Sequence, residues 1–119
     1  MPKYVVTGGA GFIGSNIAEA LVRLGGEVVV FDNFSTGKRG NLAHIEDGLT
    51  IVEGSVTSLD DCRKAVEGAD YVFHEAALAS VPRSVAEPLA SNETNITGTL
   101  NMLIAARDAA PEFDRAHLF

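Results

Sequence analysis

Residues Val5-Val6-Thr7-Gly8-Gly9-Ala10-Gly11-Phe12-Ile13-Gly14 constrain the fold of this chain more than any other stretch. An apolar run stops at a cluster of glycines, and an apolar pattern of helical period starts directly after it. That is how a buried strand turning sharply into a helix reads. Two glycine spacings overlap: Gly9, Gly11 and Gly14 give G-x-G-x-x-G, while Gly8, Gly11 and Gly14 give G-x-x-G-x-x-G. Both ask for the same physics. The early glycines reach the positive φ of a tight turn, the missing Cβ at Gly11 lets backbone approach a diphosphate, and Gly14 lets the helix lie against the strand. The helix then presents unpaired N–H groups and a positive dipole end to a phosphate.

Around this turn the chain reads β-α-β. Tyr4, Val5 and Val6 form the first run, and Ile13, Ile17, Ala20, Leu21 and Leu24 fall on one helical face before Gly25 and Gly26 end the helix. Val28 to Phe31 is an uninterrupted β-branched and aromatic run, as in a strand of a parallel sheet buried on both faces. Asp32 follows it, eighteen positions after Gly14. An acidic residue about twenty positions after such glycines accepts hydrogen bonds from the adenosine ribose. Its charge would repel the extra 2′-phosphate of NADP, so the cofactor expected is NAD. Lys38 and Arg39, beyond the loop 33–37, read as a solvated loop rather than a phosphate site.

Further on, Asn41 to Asp47 predicts a short helix with Leu42 and Ile45 inward, and Leu49 to Val52 a third strand. Ser58 with Asp61 resembles a capping box for a helix that buries Leu59, Cys62, Ala65 and Val66. This places Cys62 in the core, an unreactive thiol. Tyr71 to His74 reads as a fourth strand, with His74 a hydrogen-bonded structural residue rather than a base, and the small residues after it leave room for a ligand. Pro88 suits a first helical turn, and Ile96, Leu100, Leu103 and Ile104 mark an amphipathic helix ending before Pro111. Arg115 to Phe119 is a candidate short fifth strand.

Composition excludes several classes. The 119 residues suit one domain, and 46% apolar with 21% charged residues is not a disordered composition. A net charge of −7 with no basic cluster argues against nucleic acid or an anionic membrane as partner. No apolar run reaches the roughly 18 residues of a membrane span, and the N-terminus lacks a signal peptide's pattern, so the expected location is cytoplasmic. A lone Cys62 makes no internal disulfide, no Cys/His cluster has metal-ligand spacing, and the sequons at Asn92 and Asn95 are formal matches.

In order and combination, these residues resemble the first half of an extended short-chain dehydrogenase/reductase of the nucleotide-sugar epimerase and dehydratase branch. Residues Thr7 to Gly14, the block Asp32-Asn33-Phe34-Ser35-Thr36-Gly37, and His74-Glu75-Ala76-Ala77-Leu78-Ala79-Ser80-Val81-Pro82-Arg83-Ser84 carry the likeness, the last being similar to UDP-hexose and UDP-N-acetylhexosamine 4-epimerases. The resemblance implies an α/β, partial Rossmann fold: one NAD-binding domain over 1–119, a parallel sheet of order 3-2-1-4, and helices on both faces. It implies that Gly8, Gly11, Gly14 and the backbones of Phe12 and Ile13 bind the diphosphate. Asp32, Asn33, Ser35, Thr36 and Gly37 would lie at the ribose, and Ser55 and Val56 at the adenine. Ala76, Ala77 and Ala79 would line the nicotinamide side, with Asn95 supporting the site and Ser80 and Val81 meeting a sugar nucleotide. Ser55 departs from the family's usual aspartate.

The family's catalytic Tyr-x-x-x-Lys motif is absent, since Gly8 and Glu75 stand four residues after Tyr4 and Tyr71. The expectation is therefore a truncated cofactor-binding half of a 4-epimerase, without catalytic or metal-ligating residues and inactive alone. A 4,6-dehydratase or decarboxylase fragment, or a non-catalytic NAD-binding module, stays open. The fourth strand is expected at a sheet edge, and self-association to a homodimer is expected across it or through the helix Asn95 to Ala109.

Overall fold

The computed structural model describes residues 2–35, 37–76, 86–109 and 117–118. Its strands are β1 (Lys3–Thr7), β2 (Glu27–Asp32), β3 (Leu49–Glu53), β4 (Tyr71–His74) and β5 (His117–Leu118). They form one sheet of order β3-β2-β1-β4-β5, and every pairing is parallel. The expected order 3-2-1-4 is present. The expected exposed edge is not: Tyr71 and Val72 pair with His117 and Leu118, so β5 covers the first half of β4.

Period-two alternation sends the strand side chains to both faces. Val5, Val29, Phe31 and Val72 pack with Cys62, Ala65, Val66, Met102, Ala105 and Ala106 on one side. Val6, Val28 and Val30 pack with Ala18, Leu21, Leu42 and Ile45 on the other. The first cluster draws on helices α2 (Leu59–Ala65) and α4 (Gly98–Ala109), and the second on α1 (Phe12–Arg23). The run 28–31 is buried through its length, which is why it reads as an unbroken apolar string.

Helix α1 buries only part of the face its apolar spacing suggests: Leu21 is in the core and Ile17 packs half-buried against it. Gly14, Ser15, Ala18 and Leu21 are buried, whereas Ile13, Ala20 and Leu24 are exposed. Phe12 and Ile13 in its first turn are exposed, and the close contact there is made by Gly14, against the Gly8 carbonyl. At its other end Gly25, at φ +83°, closes a Schellman motif: Gly25 N–H donates to the Val22 carbonyl at 3.0 Å and Gly26 N–H to that of Leu21 at 3.2 Å.

Residues 41–47 bury Leu42 and Ile45 as expected, but in two 3₁₀ turns, Arg39–Asn41 and Ala43–Gly48. Ser58 caps α2, its Oγ accepting from Asp61 N–H at 3.2 Å. The reciprocal half of the box does not form: the Asp61 carboxylate accepts from Ser55 N–H at 3.1 Å instead. Pro88 opens a short helix α3 (Pro88–Asn92), which runs through a π-turn (Glu93–Thr97) into α4. In α4 the buried face is Gly98, Met102, Ala105 and Ala106, opposite the stripe of larger residues; Ile96, Leu100 and Leu103 are exposed. Gly98 is on this face because the helix passes close to the loop after β3: a Cβ there would run into the Val56 side chain. Among the described residues no helix is long and apolar enough to cross a membrane.

Candidate functional site

Parallel register brings the strand ends into one row. Thr7 lies opposite Phe31 and His74, and Asp32 opposite Glu53, so Gly8, Asp32 and Glu75 stand side by side at the carboxyl edge. A cavity of about 540 Å³ opens there, where open α/β sheets place their ligands.

The glycine loop forms its floor. Gly8 takes φ +65°, and a Cβ there would meet Ala76 N at 2.8 Å and Glu75 C at 2.9 Å. A Cβ on Gly14 would collide with the Gly8 carbonyl, so this glycine lets the helix start directly over the loop. Gly11 has one neighbour near its missing side chain, the Gly8 carbonyl at 3.3 Å, and lines the cavity. Of the two overlapping spacings, Gly8, Gly11 and Gly14 line the cavity; Gly9 is packed against Val30. The first intrahelical bond of α1 runs from Ser15 N–H to the Gly11 carbonyl at 2.9 Å, so the amides of Phe12, Ile13 and Gly14 precede the helix's own ladder.

Asp32 sits on the adjacent strand, 9% exposed. Its carboxylate accepts from Ala10 N–H at 3.0 Å and from Phe34 N–H at 2.7 Å, tying the glycine loop to the loop after β2. That loop returns to the same place: Lys38 N–H at 3.1 Å and Asn41 Nδ2 at 2.8 Å both donate to the Ala10 carbonyl. Asn33, Ser35 and Gly37 line the cavity beside Asp32. Arg39 is engaged elsewhere, 3.2 Å from the Glu53 carboxylate and 4.3 Å over the Phe34 ring, in keeping with its reading as an exposed loop residue.

Ser55 and Val56 line the opposite wall. The Ser55 hydroxyl accepts from Thr57 N–H at 3.2 Å and shares a hydrogen with Thr57 Oγ1 at 2.7 Å. Ala76 closes the β4 side. Asn95 does not line the cavity; it lies in the π-turn, where its carbonyl accepts from the Thr99 hydroxyl at 2.7 Å. Thr36, Ala77, Ala79, Ser80 and Val81 lie outside the described residues.

His74 is held behind the site. Thr7 Oγ1 accepts from Glu75 N–H at 3.0 Å and Ala76 N–H at 3.1 Å, so its own hydrogen goes to His74 Nδ1 at 2.7 Å. Nε2 then carries the ring hydrogen and donates to Thr99 Oγ1 at 3.0 Å. These roles require a neutral imidazole, and burial moves the pKa in the same direction, below its ordinary value. Cys62 is buried with Sγ 3.4 Å from the Val56 carbonyl, and burial first, then the Asp61 charge, push its thiol up to about 11.

Among the described residues, five more line the cavity: Phe31, Gly54, Glu75, Ala90 and Thr94. Gly54 and Glu75 follow from the rule that the carboxyl ends of parallel strands face the ligand, being one residue past β3 and β4, and Phe31 is the last residue but one of β2. Ala90 and Thr94 come from α3 and the π-turn, and no local pattern marks them. Among the described residues no group of His, Cys, Asp and Glu has the arrangement of a metal site.

The chain resembles known proteins over nearly its whole length. It is 42% identical over 110 residues to a UDP-glucose 4-epimerase of Streptomyces lividans, an alignment covering 90% of this chain and 32% of that protein. It is 38% identical over 104 residues to a UDP-N-acetyl-alpha-D-glucosaminuronate decarboxylase of Bacillus cytotoxicus, covering 87% of this chain and 32% of the relative. Its structure matches a UDP-glucose 4-epimerase from Thermus thermophilus in complex with NAD, with a TM-score of 0.80 at 40% identity, over 90% of this chain and 34% of that one. The chain thus spans about a third of the length of these relatives. With the family model matching residues 4–118, the chain belongs to the NAD dependent epimerase/dehydratase family.

Proposed function

We propose that this chain is the NAD-binding part of a nucleotide-sugar 4-epimerase, acting on UDP-glucose and UDP-galactose or their N-acetyl forms, and that it binds NAD without turnover by itself. The observation that carries the reading is a single cavity holding both the bare glycine loop and the Asp32 carboxylate, one strand apart. The residues fit a dinucleotide. Bare backbone at Gly11 and the leading amides of α1 suit a diphosphate, and Asp32 keeps lone pairs beyond the two amides it serves.

On this reading Gly8, Gly11, Phe12, Ile13 and Gly14 hold the diphosphate. Asp32, Asn33, Ser35, Thr36 and Gly37 surround the adenosine ribose, and Ser55 and Val56 flank the adenine. Ala76, Ala77 and Ala79 line the nicotinamide side, Asn95 holds the π-turn behind it, and Ser80 and Val81 meet the sugar nucleotide. When bound, NAD supplies a hydride acceptor. The chain's own part is to orient it and to anchor the end of β4 through neutral His74. We place this in the cytoplasm, where the buried free thiol of Cys62 suits a reducing compartment.

A homodimer belongs to the same proposal. Leu89, Ile96, Leu100 and Leu103 form an exposed apolar stripe along α3, the π-turn and α4. Since β5 pairs with β4, the helical face is the route we favour. The 38% identity to a decarboxylase supports a second reading, in which the same NAD site serves a UDP-uronate decarboxylase.

Calorimetric titration with NAD and NADP tests the cofactor assignment. Tighter binding of NAD is expected, weakened by Asp32→Ala; no NAD binding at millimolar concentration, or a preference for NADP, overturns it.

A further inference from the structure

Adenine offers one strong donor, its exocyclic amino group, and a site that reads adenine needs an acceptor for it. The cavity's candidate acceptors differ in how far they are already committed. Asp32 serves two backbone amides and, on the NAD reading, the ribose. The Asn33 side-chain oxygen accepts from Ser35 N–H at 3.0 Å. The Ser55 hydroxyl is bound twice to Thr57, which leaves it one lone pair at most, and a neutral one.

Glu75 is in the opposite condition. Its backbone is fixed, its N–H lying 3.2 Å from the Thr7 carbonyl and 3.0 Å from Thr7 Oγ1. The residue is exposed and lines the cavity with Ser55, Val56 and Thr94, and its carboxylate has no hydrogen-bond or ion-pair partner among the described residues. We propose that Glu75, and not Ser55, is the acceptor for the adenine amino group, and so the residue by which this chain selects adenine over a 6-keto purine. The inference rests on the NAD reading and deepens it. A carboxylate makes a charge-assisted bond about twice as strong as a neutral hydroxyl would make. It also repels the carbonyl oxygen that stands in the amino group's place in hypoxanthine.

The test is a comparison of dissociation constants for NAD and for its hypoxanthine analogue, measured by titration calorimetry on the wild-type chain, Glu75→Gln, Glu75→Ala and Ser55→Ala. The wild type is expected to prefer NAD by about tenfold, the size of one hydrogen bond to a charged group at a solvent-accessible site. Glu75→Gln should retain part of the preference and Glu75→Ala should lose it, while Ser55→Ala should keep it. NAD binding with no preference in the wild type, a preference surviving Glu75→Ala, or one lost in Ser55→Ala overturns the assignment and leaves the cofactor reading standing. Failure of both dinucleotides to bind the folded wild type overturns both.

Discussion

Replacing Gly8 by alanine tests whether this glycine is needed for its dihedral angle or for the close passage of two strand ends. Gly25 supplies the control. It also has a positive φ, +83° against +65° at Gly8, but a Cβ at Gly25 would meet nothing within 4 Å. Gly25→Ala therefore isolates backbone strain, about 1–2 kcal/mol for a left-handed L-residue. At Gly8 the same strain is joined by contacts of 2.8 to 2.9 Å with backbone atoms of Glu75 and Ala76. Those atoms cannot swing aside as a side-chain tip would, because both amides are hydrogen-bonded to Thr7. Overpacking of this kind adds about 1–3 kcal/mol, so Gly8→Ala should cost about 2–5 kcal/mol in all. Urea unfolding followed by circular dichroism reads the difference: with a slope of about 1–3 kcal/mol/M, the Gly8→Ala midpoint should fall by on the order of 1 M further than that of Gly25→Ala. Equal midpoints, at unchanged slope, would refute the claim that the strand ends are packed against each other through Gly8.

Two further outcomes concern titratable groups. Burial holds the His74 pKa below its ordinary 6.5, so the unfolded chain takes up the proton first as pH falls. The stability from this group is whole above about 6.5 and is lost as pH drops through that value towards the lower folded one. Urea midpoints at pH 7.5 and 5.5 should therefore differ more for the wild type than for His74→Gln, and parallel profiles would refute the neutral, buried assignment. Cys62, pushed up to about 11 and shielded from solvent, should react with a disulfide reagent at pH 8 on the order of a hundredfold more slowly in the native chain than in urea. Comparable rates would place the thiol outside the core.

Much of this architecture is legible in the sequence because local signals and global packing agree. The run Val28 to Phe31 has no polar residue, and it is the strand buried on both faces. Gly8, Gly11, Gly14 and Asp32 lie at the spacing that a β-α-β unit needs to bring them to one edge, and they share one cavity. Legibility fails where the deciding contact is distant. Apolar spacing puts Ile13 and Leu24 on the core face of α1, but both are exposed, and Gly14, Ser15 and Ala18 join Leu21 in the core instead. The same competition turns the small face of α4 inward and leaves the leucines outside. In both helices a glycine marks the close contact, Gly14 against the Gly8 carbonyl and Gly98 against Val56, and a spacing rule carries no information about such a distance.

Thr7 shows the same limit within the site itself. In the sequence it is the last residue of an apolar run, distinguished only by its place before the glycines. In the fold its hydroxyl accepts two amides of the segment after β4 and donates to His74, which continues the chain of hydrogen bonds to Thr99 and the π-turn. One buried oxygen thus joins the strand that begins the glycine loop, the strand end that carries Glu75, and the turn that carries Thr94 into the cavity wall. A valine of the same shape would fill the space but leave the Ala76 amide and an imidazole nitrogen without their partner, and the Glu75 amide with the Thr7 carbonyl alone; it is the unmade bonds rather than the lost ones that weigh most in a buried setting. The glycine loop is therefore not a self-contained phosphate cradle grafted onto a sheet. Its position relative to the far wall of the cavity is set by a residue whose own partners lie between 67 and 69 positions away.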